Sequence, residues 1–198
     1  MKRSVFCLFI LVIVSASFIF ASGCTFYDSS NTTVENGVEY FVSRLGTRAF
    51  ASYCYWDGDP DNTVITIPDE LSNGSEIEGL GGYYGTGVWM PFRIVASKEI
   101  QPDGIELFDS PDEGTEVRRI VFHVNIGSNA DDVLMSSGGD FFAVKNEDGS
   151  VIWYSPSYAF SIDSENPYLE MIDGKIFSIS KGYYLDLPYA DCITPSAE

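Results

Sequence analysis

From Arg119 to Ile126 the chain alternates. Ile120, Phe122, Val124 and Ile126 fall on one side of an extended segment, and Arg119, Val121, His123 and Asn125 on the other. A period of two is the mark of a half-buried β-strand. Thr63 to Ile67 is β-branched throughout and stops at Pro68, which has no N–H to donate to a ladder. Val38 to Val42 alternates as well and is read as a strand. Phe141–Lys145 and Val151–Tyr154 flank Glu147-Asp148-Gly149-Ser150, and a second Asp-Gly, Asp173-Gly174, separates Tyr168–Ile172 from Lys175–Ser180. Asp-Gly between extended runs predicts two hairpins.

Helical spacing is scarce. Past the first two dozen residues no long stretch places apolar residues three and four apart. Asn129 to Leu134 is expected to form one short helical turn. Gly79 to Gly87, with five glycines, is expected to be an irregular loop, and Pro102 to Glu116, rich in Asp, Gly and Pro, another. The fold class predicted is mainly β: one domain of short strands and hairpins over 37–191, with a tail over 192–198. An antiparallel β-sandwich is the alternative architecture.

The first residues have a different pattern. Lys2 and Arg3 precede a 16-residue apolar run, Val5 to Phe20, and Ala21-Ser22-Gly23 supplies small residues before Cys24. This is the layout of a secretory signal peptide over 1–23, shorter than the roughly 20 residues of a membrane-spanning helix. An uncleaved anchor is the other reading. Small residues followed at once by Cys resemble the bacterial lipobox, with Ala21 where Leu is usual. The resemblance implies that Cys24 is acylated and becomes the new N-terminus. Ordinary signal peptidase would also cut before Cys24. Cys7 leaves with the leader, so an ordinary cut strands three thiols, whereas lipidation uses Cys24 and leaves Cys54 and Cys192 as one possible disulfide. That bridge would close about 138 residues, worth on the order of 4–5 kcal/mol in the chain-entropy model. Residues 24–36 are read as a polar tether between lipid and domain.

Charge narrows the partners. The 198 residues include 11 Lys plus Arg against 29 Asp plus Glu, a net charge of −18, with 45% apolar and 15% aromatic residues. So apolar and aromatic a chain is not intrinsically disordered. Nucleic acid is excluded as a partner, because its recognition needs clustered Lys and Arg. Removal of 1–23 takes Lys2 and Arg3 and no acid, leaving 9 basic and 29 acidic residues, a net charge of −20. Such a chain is repelled by anionic lipid, so acyl chains would have to provide the anchoring.

Gly37-Val38-Glu39-Tyr40, Thr63 to Glu70, Asn73-Gly74 and Ile77 to Gly81 together resemble the opening unit of the BspA-like leucine-rich-repeat family of bacterial surface proteins. A second echo runs through Asp163 to Tyr168 and Ile172 to Ser178. Apolar strand centres at Ile65, Ile94, Phe122, Phe142 and Ile162 lie 20 to 29 residues apart, and a stacked-repeat sheet needs such recurrence. The resemblance implies a degenerate repeat-like sheet and a surface protein that binds or adheres, with no shared catalytic residues.

Candidate chemistry is thin. Asp57, Asp59 and Asp61 match the first acidic positions of an EF-hand loop. Asn62 and Pro68 stand where its Gly and Glu belong, so a solvated acidic turn is expected and no metal site. His123, the one histidine, lies on a polar strand face with no Gly-x-Ser-x-Gly elsewhere, so no catalytic residues and no cofactor are expected. Tyr53, Tyr55, Trp56, Tyr83, Tyr84 and Trp89 are the densest aromatic group, and Trp56, Tyr84 and Trp89 are the candidate sugar-stacking platform; core packing is the competing reading. The expectation is a lipid-anchored binding or adhesion protein at the cell envelope, facing outside the cytoplasm. Its partners would be the membrane and a surface protein or glycan. A carbohydrate-binding accessory lipoprotein is the alternative, and a secreted hydrolase the weakest reading.

Overall fold

A computed structural model describes residues 27–84, 88–96, 111–136, 141–146 and 148–189. The described residues form strands and no helix. In chain order the strands are β1 (Tyr27–Glu35), β2 (Val38–Ser43), β3 (Arg48–Trp56), β4 (Val64–Ile67), β5 (Glu76–Leu80), β6 (Gly82–Tyr84), β7 (Val88–Met90) and β8 (Arg93–Ala96). They continue as β9 (Val117–Ile126), β10 (Asp132–Val133), β11 (Phe142–Lys145), β12 (Val151–Ile162), β13 (Leu169–Ile172), β14 (Lys175–Ser178) and β15 (Tyr183–Tyr184). The mainly β, single-domain expectation holds.

The first sheet opens as an antiparallel meander, β1-β2-β3. Residues 27–35, expected as tether, are its edge strand. Thr32 pairs with Phe41 and Glu35 with Val38, and Asn31 Nδ2 donates to the carbonyls of Val42 and Ser43 at 3.1 and 3.0 Å. A polar sequence serves at an edge, where ladder bonds come from the backbone and the side chains stay wet. The folded domain therefore begins ten residues earlier than composition suggests.

On its other edge β3 pairs in parallel with two strands in succession, β5 beside Arg48–Ala51 and β8 beside Tyr53–Trp56. Between them β6 and β7 leave the row as an antiparallel hairpin. The expected glycine-rich loop is thus largely strand as far as Tyr84, and Gly85 to Gly87 lie outside the described residues. Gly81 is where the chain departs. Its φ is +68°, and a Cβ there would meet Leu134 O at 2.5 Å and Met90 O and Phe92 N at 2.9 Å, so a tight left-handed step explains the glycine. Residues 132–135 close the far side. β10 pairs with β5, and Met135 bridges Phe92. The expected helical turn near 129–134 is replaced by this short strand, because Leu134 N bonds Leu80 O at 2.7 Å and its carbonyl accepts from Phe92 N at 2.8 Å.

The second sheet runs β11-β12-β9-β4. β11 and β12 form the Asp-Gly hairpin, whereas β12, β9 and β4 are parallel and in register: Ile67, Ile126 and Ile162 make one row, Thr66, Asn125 and Ser161 the next. The alternation seen in sequence is realised, with Ile120, Phe122, Val124 and Ile126 buried. The five apolar centres divide: Ile65, Phe122 and Ile162 lie one on each of the three parallel strands but in different register rows, Phe142 sits on the antiparallel neighbour, and Ile94 belongs to the first sheet. Parallel pairing within both sheets also rules out a purely antiparallel sandwich.

The sheets share one core. The Trp56 ring from β3 packs against Phe122, Phe142 and Tyr154 with centroids 5.5, 5.3 and 5.6 Å away, contacts worth about 0.5–1.5 kcal/mol each beyond simple burial. A third sheet, β13-β14-β15, is built on the second Asp-Gly turn, where Asp173 and Gly174 have φ of 51° and 74°. Two positive φ values are what a two-residue hairpin turn requires.

Candidate functional site

Trp56 is not part of a surface platform. It is 3% exposed, its ring is enclosed by three aromatic neighbours, and its Nε1 donates to Asp59 O at 2.9 Å. A ring with its faces and edge occupied has nothing left to stack on a ligand. For Tyr84 and Trp89 only the backbone is described: Tyr84 lies opposite Val88 and Trp89 opposite Tyr83 in the β6–β7 hairpin. Tyr55 donates to Glu39 Oε2 at 2.5 Å. Tyr53 packs on the stacked pair Phe41 and Phe50.

Among the described residues Cys54 is a buried thiol with no disulfide partner. Cys24 and Cys192 lie outside the described residues. Burial, and secondarily the Asp57 carboxylate, push the Cys54 thiol from its ordinary value of 9.0 up to about 12, the reverse of what an activated nucleophile needs. Tyr40 is fully buried, and among the described residues its hydroxyl has no hydrogen-bond partner. Burial first, then Cys54 and Glu35, raise its pKa. His123 is exposed between Val64 and Ala159 on the outer face of the second sheet. In the acidic turn, Asp57 Oδ1 accepts from Asp59 N at 3.0 Å and Asp59 Oδ1 from Asp61 N at 2.9 Å, while Asn62 Nδ2 donates to Asp57 Oδ2 at 2.7 Å. These carboxylates organise the loop's own backbone. Among the described residues no three His, Cys, Asp or Glu side chains converge as a metal-binding group.

Two surfaces that sequence reading missed stand out. The first is an open cleft of about 390 Å³ where β4, β9 and β12 end together. Its polar lining groups are Thr66, Asp69, Asn125, Ser161 and Asp163, whereas Ile67 and Ile126 of the neighbouring row turn into the core and are 1% and 3% exposed. Parallel, in-register strands place their carboxyl ends side by side, and so gather residues nearly a hundred positions apart. Ser161 Oγ donates to Asn125 Oδ1 at 2.5 Å across the strands. Asp69 Oδ1 accepts from Ser128 N, and Asp163 Oδ1 from Glu165 N at 2.8 Å. A Cβ on Gly127 would collide with Asp69 Oδ1, so the glycine leaves room for that carboxylate.

The second is the outer face of the third sheet. Phe177 is cross-strand to both Glu170 and Tyr184, and its ring meets Tyr184 edge-on at 5.2 Å. Tyr168 and Tyr184 are 42% and 48% exposed. Asn166 ties this sheet to the second. Its Nδ2 donates to Gly127 O and Ala130 O, both at 2.9 Å, and its Oδ1 accepts from Tyr168 N and Leu169 N at 2.8 and 2.9 Å. The usable signal was the Asn-Pro step between two predicted strands, which marks a turn but not its long-range bonds. In comparisons with protein-family models, curated proteins and solved structures, nothing was found that matches this chain.

Proposed function

We propose that this chain is exported and held at the cell envelope by a lipid on Cys24, where its β domain serves as a binding or adhesion protein and not as an enzyme. The observation that carries this reading is the leader: Lys2-Arg3, the apolar run to Phe20, and Ala21-Ser22-Gly23-Cys24. That pattern ends three residues before β1, which starts at Tyr27. Processing before Cys24 would therefore remove none of the described fold. Three residues reach roughly 10 Å at most, so an acylated Cys24 would hold the domain close to the bilayer. Binding rather than catalysis is supported by an exposed His123 with no side-chain partner among the described residues and by a thiol at Cys54 that is buried and hard to ionise.

Cys24→Ala tests the anchor. The variant is expected to lose incorporation of a clickable fatty acid and to pass from the membrane fraction into the medium. Membrane retention equal to wild type would sink the lipid. Native protein found in the cytosol with Met1 attached would sink export as well.

A further inference from the structure

We infer that the cleft at the carboxyl ends of β4, β9 and β12 is a binding site for a hydroxyl-rich ligand of the sugar class. The cleft falls within the size range of small-ligand sites, and several polar groups line it. The unused bonding capacity selects the chemistry. Asp69 and Asp163 each spend Oδ1 on a backbone N–H, which leaves Oδ2 as an acceptor at the rim. Asn125 spends Oδ1 on Ser161, and among the described residues its Nδ2 has no partner, which leaves two donors. Thr66 has a hydroxyl able to do either.

Donors and acceptors therefore both line the cleft, with Thr66 and Asn125 in one register row with Ser161. A sugar hydroxyl both donates and accepts, so vicinal hydroxyls can meet these groups completely. An ammonium would satisfy the carboxylates and leave the Asn125 amide unpaired. An anion would face two carboxylates with no basic residue among the lining groups. The strands that carry Thr66, Asn125 and Ser161 are locked in register, and both carboxylates are tied back to the chain. The groups are ordered before a ligand arrives, which lowers the entropic cost of binding.

This inference rests on the binding role proposed above but not on the lipid. The full-length protein as isolated from its cells, in detergent, is titrated with D-glucose, D-galactose, D-mannose and N-acetyl-D-glucosamine, and separately with putrescine. Saturation-transfer NMR is expected to show transfer to the ring protons of at least one sugar. Amide shifts should be confined to 66–69, 125–127 and 161–163. Thr66→Val, a near-isosteric change at an exposed position, and Asn125→Leu are each expected to weaken that sugar roughly five- to tenfold, as loss of one or two hydrogen bonds implies. An unchanged amide spectrum away from the cleft shows the Thr66 variant to be folded. Four sugars without transfer, shifts mapping elsewhere, full affinity in folded Thr66→Val, or binding of putrescine alone would each overturn the site. None of these results alters fractionation of the wild-type protein, whereas cytosolic protein retaining Met1 would defeat export and leave the titration standing.

Discussion

Two groups of aromatic residues in this chain meet opposite fates. Tyr53, Tyr55 and Trp56 belong to β3, which has β2 on one edge and β5 with β8 on the other. Its inner face looks onto the second sheet, so Trp56 ends in the core. Phe177 and Tyr184 belong to a three-stranded sheet that is covered on one face only, and Tyr168 immediately precedes its first strand. Ile176, Ser178 and Leu169 are buried inward, and the rings on the opposite face remain in water. Aromatic density is a poor guide to a ligand platform; what decides is whether a second layer covers the strand. The same principle makes the two regions unequal in energy.

The largest consequence belongs to the covered region. Trp56→Ala is expected to cost about 3–5 kcal/mol, measured as a lower urea midpoint at unchanged slope. A cost near that of an exposed residue would break the contrast. The alkaline limb comes next. A thiol whose folded pKa is raised to about 12 keeps its full stabilising effect below its ordinary value near 9 and loses it as pH climbs through 9 to 12. Folding free energy should fall there by up to about 1.4 kcal/mol per pH unit. Cys54→Ala should flatten that limb, and an unaltered slope would exclude the thiol.

Smaller effects probe the join between the regions. Asn166→Ala leaves two carbonyls and two amides without their partner and is expected to cost about 2 kcal/mol. Hydrogen exchange should then rise in β13 and β14 before it rises in β9. Tyr40→Phe removes a buried hydroxyl that has no partner among the described residues, and is expected to raise stability by about 1 kcal/mol. A loss instead would mean that the hydroxyl is satisfied in solution. Least of all, Tyr184→Ala should change stability by less than about 1 kcal/mol, its main loss being the edge contact with Phe177.

Much of the local structure was legible. The alternation over Arg119–Ile126, the stop at Pro68 and both Asp-Gly turns point to strands β9 and β4 and to two hairpins, all present. What failed was of one kind. Polar residues 27–35 look like a tether, and the glycine-rich run from Gly79 looks like a loop; 27–35 and most of 79–84 are strand because neighbouring backbone completes their ladders, and composition carries no record of a neighbour. The cleft was invisible for a stronger reason. Thr66, Asn125 and Ser161 are unremarkable alone, and only register between distant parallel strands makes them one row.

By itself the sequence settles the β character of the chain, the faces of its alternating strands, its acidity and its basic–apolar–small leader, since each depends on residue type and short spacing. Tertiary structure alone decides which strands pair, in which direction and beneath which second layer. Those choices bury Trp56 and leave Tyr184 in water, and they bring the ends of β4, β9 and β12 together. Pairing partners lie tens of residues apart, and the free energy that selects them comes from shared burial and closed ladders, which no local window contains.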